Sequence, residues 1–160
     1  MTALTLTSSS RVESETRVTF AHAACSAVTS NACVPALRRF VVHCVRRLGL
    51  SEDLCDAAGL VSSELITNAV LHSGSHSVAV LVSLEGHSLV ITVRDQGGWR
   101  TRVEPRHSPA DDDAACGRGL SLVEMLTECL SITTGPRGTV VKASLHVDAS
   151  VPDAGAPCDV

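Results

Sequence analysis

The sequence predicts a two-layer α/β sandwich, in which a mixed or antiparallel sheet carries helices on one face. Apolar residues recur at helical spacing over residues 34–48 and again over 51–73. Pairs of β-rich runs joined by glycine-containing turns follow at 78–94 and 132–147, as in antiparallel hairpins. The order of two helices, a hairpin, a loop, a helix and a second hairpin favours this fold class.

The first predicted helix covers Val34–Leu48, whose apolar residues fall on one face. These residues are Leu37, Val41, Cys44, Val45 and Leu48. Pro35 suits the first turn of a helix, and Gly49 suits its end. Most of the arginine side chains of this segment lie off the apolar face. They are typical of a solvated face, although the same face could bind an acidic partner.

The second predicted helix begins at Ser51, an N-cap residue followed by two acidic residues, and ends near Gly74. Glu64, Asn68 and His72 are spaced by four residues, so they form one polar line along this helix. An apolar line lies beside it, formed by Val61, Leu65 and Ala69. An Asn can offer an oxygen to a hard cation and a Glu can accept a proton, which would suit a cleft. A polar line is also typical of a solvated helix face.

The β-rich runs predict two hairpins. The first joins Val78–Leu84 to Leu89–Arg94 through a short glycine-containing turn. The second joins residues 132–134 to 139–147 around a turn at 135–138 that contains two glycines and a proline.

A third helix is predicted over residues 120–130. Its apolar stripe consists of Leu120, Val123, Leu126 and Leu130. Residues 99–116 contain two prolines and three consecutive aspartates and show no periodicity, so we expect a functional loop, a lid for example, or a disordered one. Residues 17–20 alternate briefly and predict an edge strand.

The length of 160 residues suits one domain with a hydrophobic core. Residues 1–15 are polar and rich in Ser and Thr, which predicts a flexible N-terminal tail. Residues 148–160 carry Pro, Ala and Gly and predict a flexible C-terminal tail. The domain itself is therefore expected to cover residues 16–147.

The composition excludes some classes of protein. Hydrophobic residues make up 44% of the chain and charged residues 19%, which excludes wholesale disorder. Aromatic residues make up only 2%, so the core must consist of Val, Leu, Ile and Ala. A net charge of -4 and the shortage of aromatic side chains argue against nucleic acid as a direct partner.

The seven cysteines form an odd set without a C-x-x-C pair, so we interpret them as reduced, structural thiols. Cys44 lies within a helical pattern and is expected to be a small core residue. The first residues lack the basic and apolar regions of a secretion signal. No uninterrupted apolar run reaches the roughly 18 residues of a membrane span. We therefore expect a cytoplasmic protein without a membrane partner.

Asp95 ends an apolar strand and is followed by Gly97 and Gly98. Glycines let the backbone approach a flat ligand closely, and a carboxylate there can accept a hydrogen bond from an exocyclic amine such as N6 of adenine. An ordinary Asp-x-Gly turn would give the same pattern.

Gly117, Arg118 and Gly119 open the third predicted helix. Unobstructed amides at a helix N-terminus suit a phosphate, and the arginine could add charge. A glycine-rich hinge is the alternative. The segment lacks the spacing of a P-loop and that of a dinucleotide-binding fingerprint.

Four segments, in this order, resemble the histidine-kinase-like ATPases. Glu64–Ala69, spelled E-L-I-T-N-A, looks like their N box, and Asp95–Gly98 resembles their first glycine box. Gly117–Leu120 resembles the second glycine box, and Gly138-Thr139 resembles the Gly-Thr pair that ends the site. The spellings E-L-x-x-N-A-V-x-H and G-R-G-L-x-L-V are similar to those of bacterial anti-sigma-factor serine/threonine kinases. The resemblance extends from about residue 17 to 145.

The resemblance implies a Bergerat-type fold that binds ATP and Mg²⁺. Asn68 would coordinate Mg²⁺, and Glu64 would be the catalytic base that takes a proton from a partner's hydroxyl. Asp95 would bind the adenine amine, while Gly97 and its neighbour Gly98 would let the base lie close to the backbone.

The same resemblance assigns the phosphates to the amides of the second glycine box, formed by Gly117, Arg118, Gly119 and Leu120. Thr139 would assist at the adenine end, and residues 99–116 would form the ATP lid. The family's fuller first glycine box is D-x-G-x-G, and this chain has Trp99 at its last position.

The implied activity is phosphorylation of Ser or Thr on a STAS-type anti-anti-sigma protein. A sigma factor would be bound when that protein is not available, and formation of a homodimer stays open. The alternative is a binding module that holds ATP and sequesters a partner without transfer. Glu64 favours the kinase, because a pure binder needs Asn68 and Asp95 but no base. Nothing in the sequence resembles a phosphoaccepting histidine with dimerisation helices or a helix-turn-helix.

Overall fold

The computed structural model describes residues 3–8, 21–98 and 118–148. Within these ranges the chain forms six strands and three helices. In chain order they are β1 (Ala3–Ser8), β2 (Ala21–Val28), α1 (Cys33–Arg47), α2 (Glu52–His72), β3 (Ser77–Glu85), β4 (Ser88–Asp95), α3 (Arg118–Leu126), β5 (Cys129–Gly135) and β6 (Gly138–His146).

The described strands form one sheet in the order β1-β2-β3-β4-β6-β5, and every pairing is antiparallel. Alternate residues of the central strands point to one face, where they are buried together with the apolar sides of the helices. On β4 these are Leu89, Ile91, Val93 and Asp95. The predicted two-layer α/β fold is confirmed, and the sheet is antiparallel.

α1 matches its prediction closely. Leu37, Val41 and Val45 are fully buried, and Gly49 ends the helix with a φ of 72°. α1 and α2 approach closely at Gly59, where an added Cβ would lie 3.0 Å from Cγ2 of Val42. The two helices therefore pack as one layer over the sheet.

An exposed ion pair links the end of α1 to the start of α2. Nη2 of Arg46 lies 2.8 Å from Oε2 of Glu52. The hydrogen bond between the two side chains lowers the pKa of the Glu52 carboxyl group. The same bond raises the pKa of the Arg46 guanidinium. Because the pKa of Glu52 is lowered on folding, the pair stabilises the folded state at neutral pH. That stabilisation is lost as pH falls through the lowered value.

The predicted apolar line of α2 faces the core, where Val61, Leu65 and Ala69 are fully buried. By length and composition, α2 is the one helix among the described residues that could cross a membrane. The sequence expectation considered only uninterrupted apolar runs and therefore missed it. Eight residues of α2 are buried in this fold, so its apolar character is used in the core of the domain.

Two sequence expectations are wrong, and one strand was missed. The tail predicted at 1–15 contains a strand, since β1 pairs with β2, and the other residues of that segment lie outside the described ranges. β2 was not predicted. The edge strand expected at 17–20 lies outside the described ranges and stays a prediction. Leu130 belongs to β5 and not to α3, which ends at Leu126.

Ser51→Ala should lower the free energy of unfolding by about 0.5–2 kcal/mol. The Ser51 Oγ accepts a hydrogen bond of 3.3 Å from the Leu54 amide, and alanine removes that acceptor. Ser51→Asp keeps an acceptor and is the matched control, expected to stay near wild type. Urea denaturation measures both variants, and an unchanged Ser51→Ala protein would contradict the role of the cap.

Candidate functional site

Asp95 lies at the end of β4 on the helix-facing side of the sheet. Its side chain is buried, with a relative exposure of 2%. Oδ1 accepts a hydrogen bond of 2.9 Å from the Gly97 amide. A buried carboxylate requires polar partners, and this bond fixes both the side chain and the turn that follows it. Asp95 is therefore a preorganised acceptor at the edge of the helical layer.

The turn after Asp95 packs directly on the end of α2. A Cβ added at Gly97 would overlap the carbonyl oxygen of Ser73, the C-cap residue of α2. The Ser73 hydroxyl donates to the Ala69 carbonyl over 2.6 Å and accepts from the Ser75 amide over 3.0 Å. The Ser75 hydroxyl in turn accepts from the Gln96 amide over 3.0 Å. Only glycine fits at this point of contact.

The turn between β5 and β6 closes the other side of the same segment. Gly138 has a φ of 111°, and a Cβ there would overlap the Asp95 carbonyl oxygen. Thr139 is completely buried, and its hydroxyl donates to the Gly97 carbonyl over 3.4 Å. The predicted Gly-Thr pair and the predicted Asp-x-Gly segment are thus brought together, although 42 residues separate Gly97 from Thr139.

Glu64 and Asn68 lie on α2, and both are half-buried. The Glu64 carboxylate lies against the first turn of α3, where a Cβ added at Gly119 would overlap Oε2. Asn68 follows one helical turn later, about 6 Å further along the axis towards Ser73. The second half of α2 therefore connects the start of α3 with the Asp95 segment over roughly 13 Å.

The remaining predicted site residues differ in their exposure, and some lie outside the described residues. Gly98 is exposed and its Cβ direction is open, with no heavy atom within 4 Å. Leu120 is half-buried against the core, and Arg118 contributes the first backbone position of α3. Gly117 and the predicted lid at 99–116 lie outside the described residues.

Sequence reasoning missed Ser73 and Ser75, whose hydroxyls join α2 to the turn after β4. The signal available was the Ser-Gly-Ser spelling at the end of the helix, because serine is common where side chains bond to turn amides. His72, the third member of the predicted polar line, is exposed. The line is thus half-buried at Glu64 and Asn68 and solvated at its end.

In the part of the chain that the structure describes, no cluster of three or more His, Cys, Asp or Glu side chains could hold a metal ion. The Asn68 amide oxygen is a hard donor of the kind that Mg²⁺ accepts together with phosphate oxygens and water. Mg²⁺ is commonly held in this way, with few protein ligands, so the donor set fits Mg²⁺ better than a transition metal.

A buried acceptor lies at the C-terminal end of α2, and a helix start with a glycine lies beside Glu64 in the middle of α2. Residues 28–145 match the family described as "Histidine kinase-like ATPase domain". The chain belongs to this family.

Two relatives narrow the class to the anti-sigma branch. The chain is 30% identical over 99 residues to a protein named anti-sigma F factor from Bacillus licheniformis. It is 29% identical over 99 residues to the protein of the same name from Bacillus subtilis (strain 168). Each alignment covers 56% of this chain and 68% of the relative.

The fold is also similar to a crystal structure of the RsbU and RsbW domains of Rv1364c from Mycobacterium tuberculosis. The TM-score is 0.59 at 17% identity, with 78% of this chain and 32% of that chain covered. At this identity the likeness concerns the fold.

Gly97→Ala should lower the free energy of unfolding by about 1–3 kcal/mol, because the new methyl group must push the Ser73 carbonyl away. Gly98→Ala is the matched control in the neighbouring position, where the methyl group meets open space. We expect less than about 0.5 kcal/mol of change for the control. Chemical denaturation of both variants decides; equal stabilities would mean that Gly97 does not pack on the end of α2.

Proposed function

We propose that the protein is an ATP-binding anti-sigma regulator that transfers the γ-phosphoryl group of ATP to a Ser or Thr hydroxyl of an anti-anti-sigma partner. One observation carries the proposal: the Glu64 carboxylate lies against Gly119 at the start of α3. A carboxylate beside a helix N-terminus that suits phosphate is placed to act on a group that approaches that phosphate.

The residues near Asp95 support ATP as the nucleotide. Asp95 is a buried acceptor whose orientation is fixed by the Gly97 amide, and it would accept a hydrogen bond from the adenine amine. Gly97 presents backbone without a side chain, and Thr139 holds the Gly97 carbonyl in place. Beside Glu64, in the middle of α2, the first turn of α3 at Gly119 and Leu120 would receive the phosphates, together with Gly117 and Arg118.

When bound, ATP with Mg²⁺ supplies the phosphoryl group and the cation neutralises its charge. Asn68 would hold the cation through its amide oxygen. Glu64 would take the proton of the partner's hydroxyl as that oxygen bonds to the γ-phosphorus and ADP leaves with the bridging oxygen. Glu64 and Asn68 are one turn apart on the same rigid helix, so the base and the metal ligand keep a fixed spacing.

The names of the relatives support a sigma factor as the protein captured when the anti-anti-sigma partner is not available. The proposed location is the cytoplasm. A homodimer is one proposed form of the protein. The competing function is an ATP-binding module that sequesters its partner without phosphoryl transfer. Glu64 distinguishes the two, since a binder needs no base.

Asp95→Asn should weaken ATP binding by roughly 2–4 kcal/mol. The amide oxygen of Asn can still accept from the Gly97 amide, so the turn is kept while the charged acceptor for the adenine amine is lost. Calorimetry with a non-hydrolysable ATP analogue measures the effect, and the melting temperature without nucleotide is the control for folding. Affinity near that of the wild type would remove Asp95 from the nucleotide site.

Glu64→Gln should leave ATP affinity intact and slow phosphoryl transfer by roughly 10²–10⁴-fold, because glutamine keeps the shape but takes no proton. Asn68→Ala removes a cation ligand and should weaken both Mg²⁺-dependent ATP binding and transfer. Single-turnover transfer to an anti-anti-sigma protein, measured beside ATP affinity, separates the two variants.

Two outcomes of this experiment would count against the proposal. Transfer at the wild-type rate by Glu64→Gln would exclude Glu64 as the base. A wild-type protein that binds ATP and its partner but labels no hydroxyl would establish the binding module in place of the kinase.

A further inference from the structure

The sheet face opposite the helices carries a pocket that adjoins the candidate nucleotide site at Asp95. It is a concave space of about 420 Å³ at the end of the sheet near Asp95. Arg94 of β4 and Arg137 of the β5–β6 turn line it, together with Ser77, Ala79, Asp95, Gln96 and Pro136. Arg94 precedes Asp95 on the strand, so its side chain points to the opposite face of the sheet.

The strand register shows what surrounds this pocket. Arg94 pairs across the sheet with Ala79 on β3 and Val140 on β6, and these residues form one row. In the next row away from the pocket, Thr92 lies between Leu81 and Lys142. With their neighbours on β2 and β5, the two rows contain ten residues and no carboxylate. These residues are Ser26, Ala79, Arg94, Val140, Thr133, Ala24, Leu81, Thr92, Lys142 and Ser131.

We call the set Ala79, Leu81, Arg94, Lys142 and Arg137 the back-face patch. Its three cations are exposed, and among the described residues none of them forms an ion pair. The whole chain has a net charge of -4, so this patch is a positively charged area on a protein that is negatively charged overall. Leu81 of β3, with 36% of its surface exposed, lies between these cations and the neighbouring strand β2.

These charges and apolar side chains select one kind of occupant. Unpaired arginines attract carboxylates or phosphates, and Arg recognises both through its planar fork. A bare anion would make no use of Leu81 and Ala79, whereas a segment with acidic and apolar side chains would cover them. Nucleic acid fits less well, because the chain is acidic overall and only 2% aromatic.

We infer that the back-face patch binds an acidic, partly apolar segment of a partner protein, on the side of the sheet opposite the Asp95 site. Arg94 and Arg137 receive carboxylates, and Leu81 receives an apolar side chain. The pocket also touches the backbone that carries Asp95, because Gly138 packs on the Asp95 carbonyl and the Gln96 Cα atom. An occupant of the patch therefore lies one backbone thickness from the candidate nucleotide site.

The test uses a fluorescein-labelled peptide of alternating Asp or Glu and Leu, and a neutral copy in which Asn and Gln replace the acids. Fluorescence anisotropy with the full chain should show binding of the acidic peptide and not of the neutral one. Arg94→Glu combined with Arg137→Glu should weaken binding at least about tenfold. Arg39→Glu combined with Arg47→Glu, the same charge change on the exposed face of α1, should change it less than about twofold.

Two further variants keep the result interpretable. Arg94→Gln with Arg137→Gln reports on the same contacts without reversed charge, and Leu81→Ser tests the apolar contact. Both should weaken peptide binding and keep the wild-type melting temperature and ATP affinity. ATP affinity is measured separately, so a failure of the proposed kinase function would leave this result unaffected.

Several outcomes would overturn the inference. An equal loss in the α1 control would mean that net charge, or the arginine face of α1, accounts for binding and not the back-face patch. Displacement of the peptide by inorganic phosphate, with no effect of Leu81→Ser, would reduce the patch to a bare anion site. Binding to phosphatidylserine vesicles but not to the peptide, through the same arginines, would assign the patch to a membrane surface.

Discussion

The contact between the Gly97 backbone and the Ser73 carbonyl holds the candidate site together. It joins the last turn of α2 to the turn after β4, and no side chain at position 97 could be accommodated there. Ser73 and Ser75 add hydrogen bonds on both sides of this contact. Because α2 is fixed at this end, the direction of its second half is fixed as well, and with it the positions of Asn68 and Glu64.

α2 serves both the hydrophobic core and the candidate site. Its apolar line is fully buried against the sheet at Val61, Leu65 and Ala69, which fixes the rotation of the helix about its own axis. The polar line beside it then has one direction available, towards α3 and the turn after β4. A half-buried Glu64 and Asn68 therefore follow from packing, and the core imposes the orientation on which the proposed chemistry depends.

The elements predicted well are those whose pattern is local. α1, α2 and the β3–β4 hairpin have clear periodicity, a Ser51 cap and glycines with positive φ at their ends. β2 was missed because its small residues give no alternation, and tertiary pairing between β1 and β3 decides its conformation. Leu130 was placed in the helix because it lies four residues after Leu126, a spacing that a following strand can satisfy by chance.

The residues of the candidate site also differ in whether a local pattern or a long-range contact determines them. Glu64, Asn68, Asp95 and Gly97 stand out in the sequence because their spelling resembles family motifs, and their roles stay a prediction. The serines that support Gly97 belong to no such motif, since many turns contain serine. Their role arises only when the end of α2 meets the turn after β4, which is a long-range contact.

Two consecutive residues of β4 show how closely the faces of this sheet are related. Asp95 points towards the helices and the candidate nucleotide site, and Arg94 points towards the back-face patch, because successive side chains of a strand alternate. The same backbone then enters the turn that packs on Ser73 on one side and on Gly138 on the other. Glycine packs directly on backbone at positions 97 and 138, so neighbours on both sides fix this stretch. The candidate nucleotide site and the back-face patch therefore share one stretch of closely packed backbone.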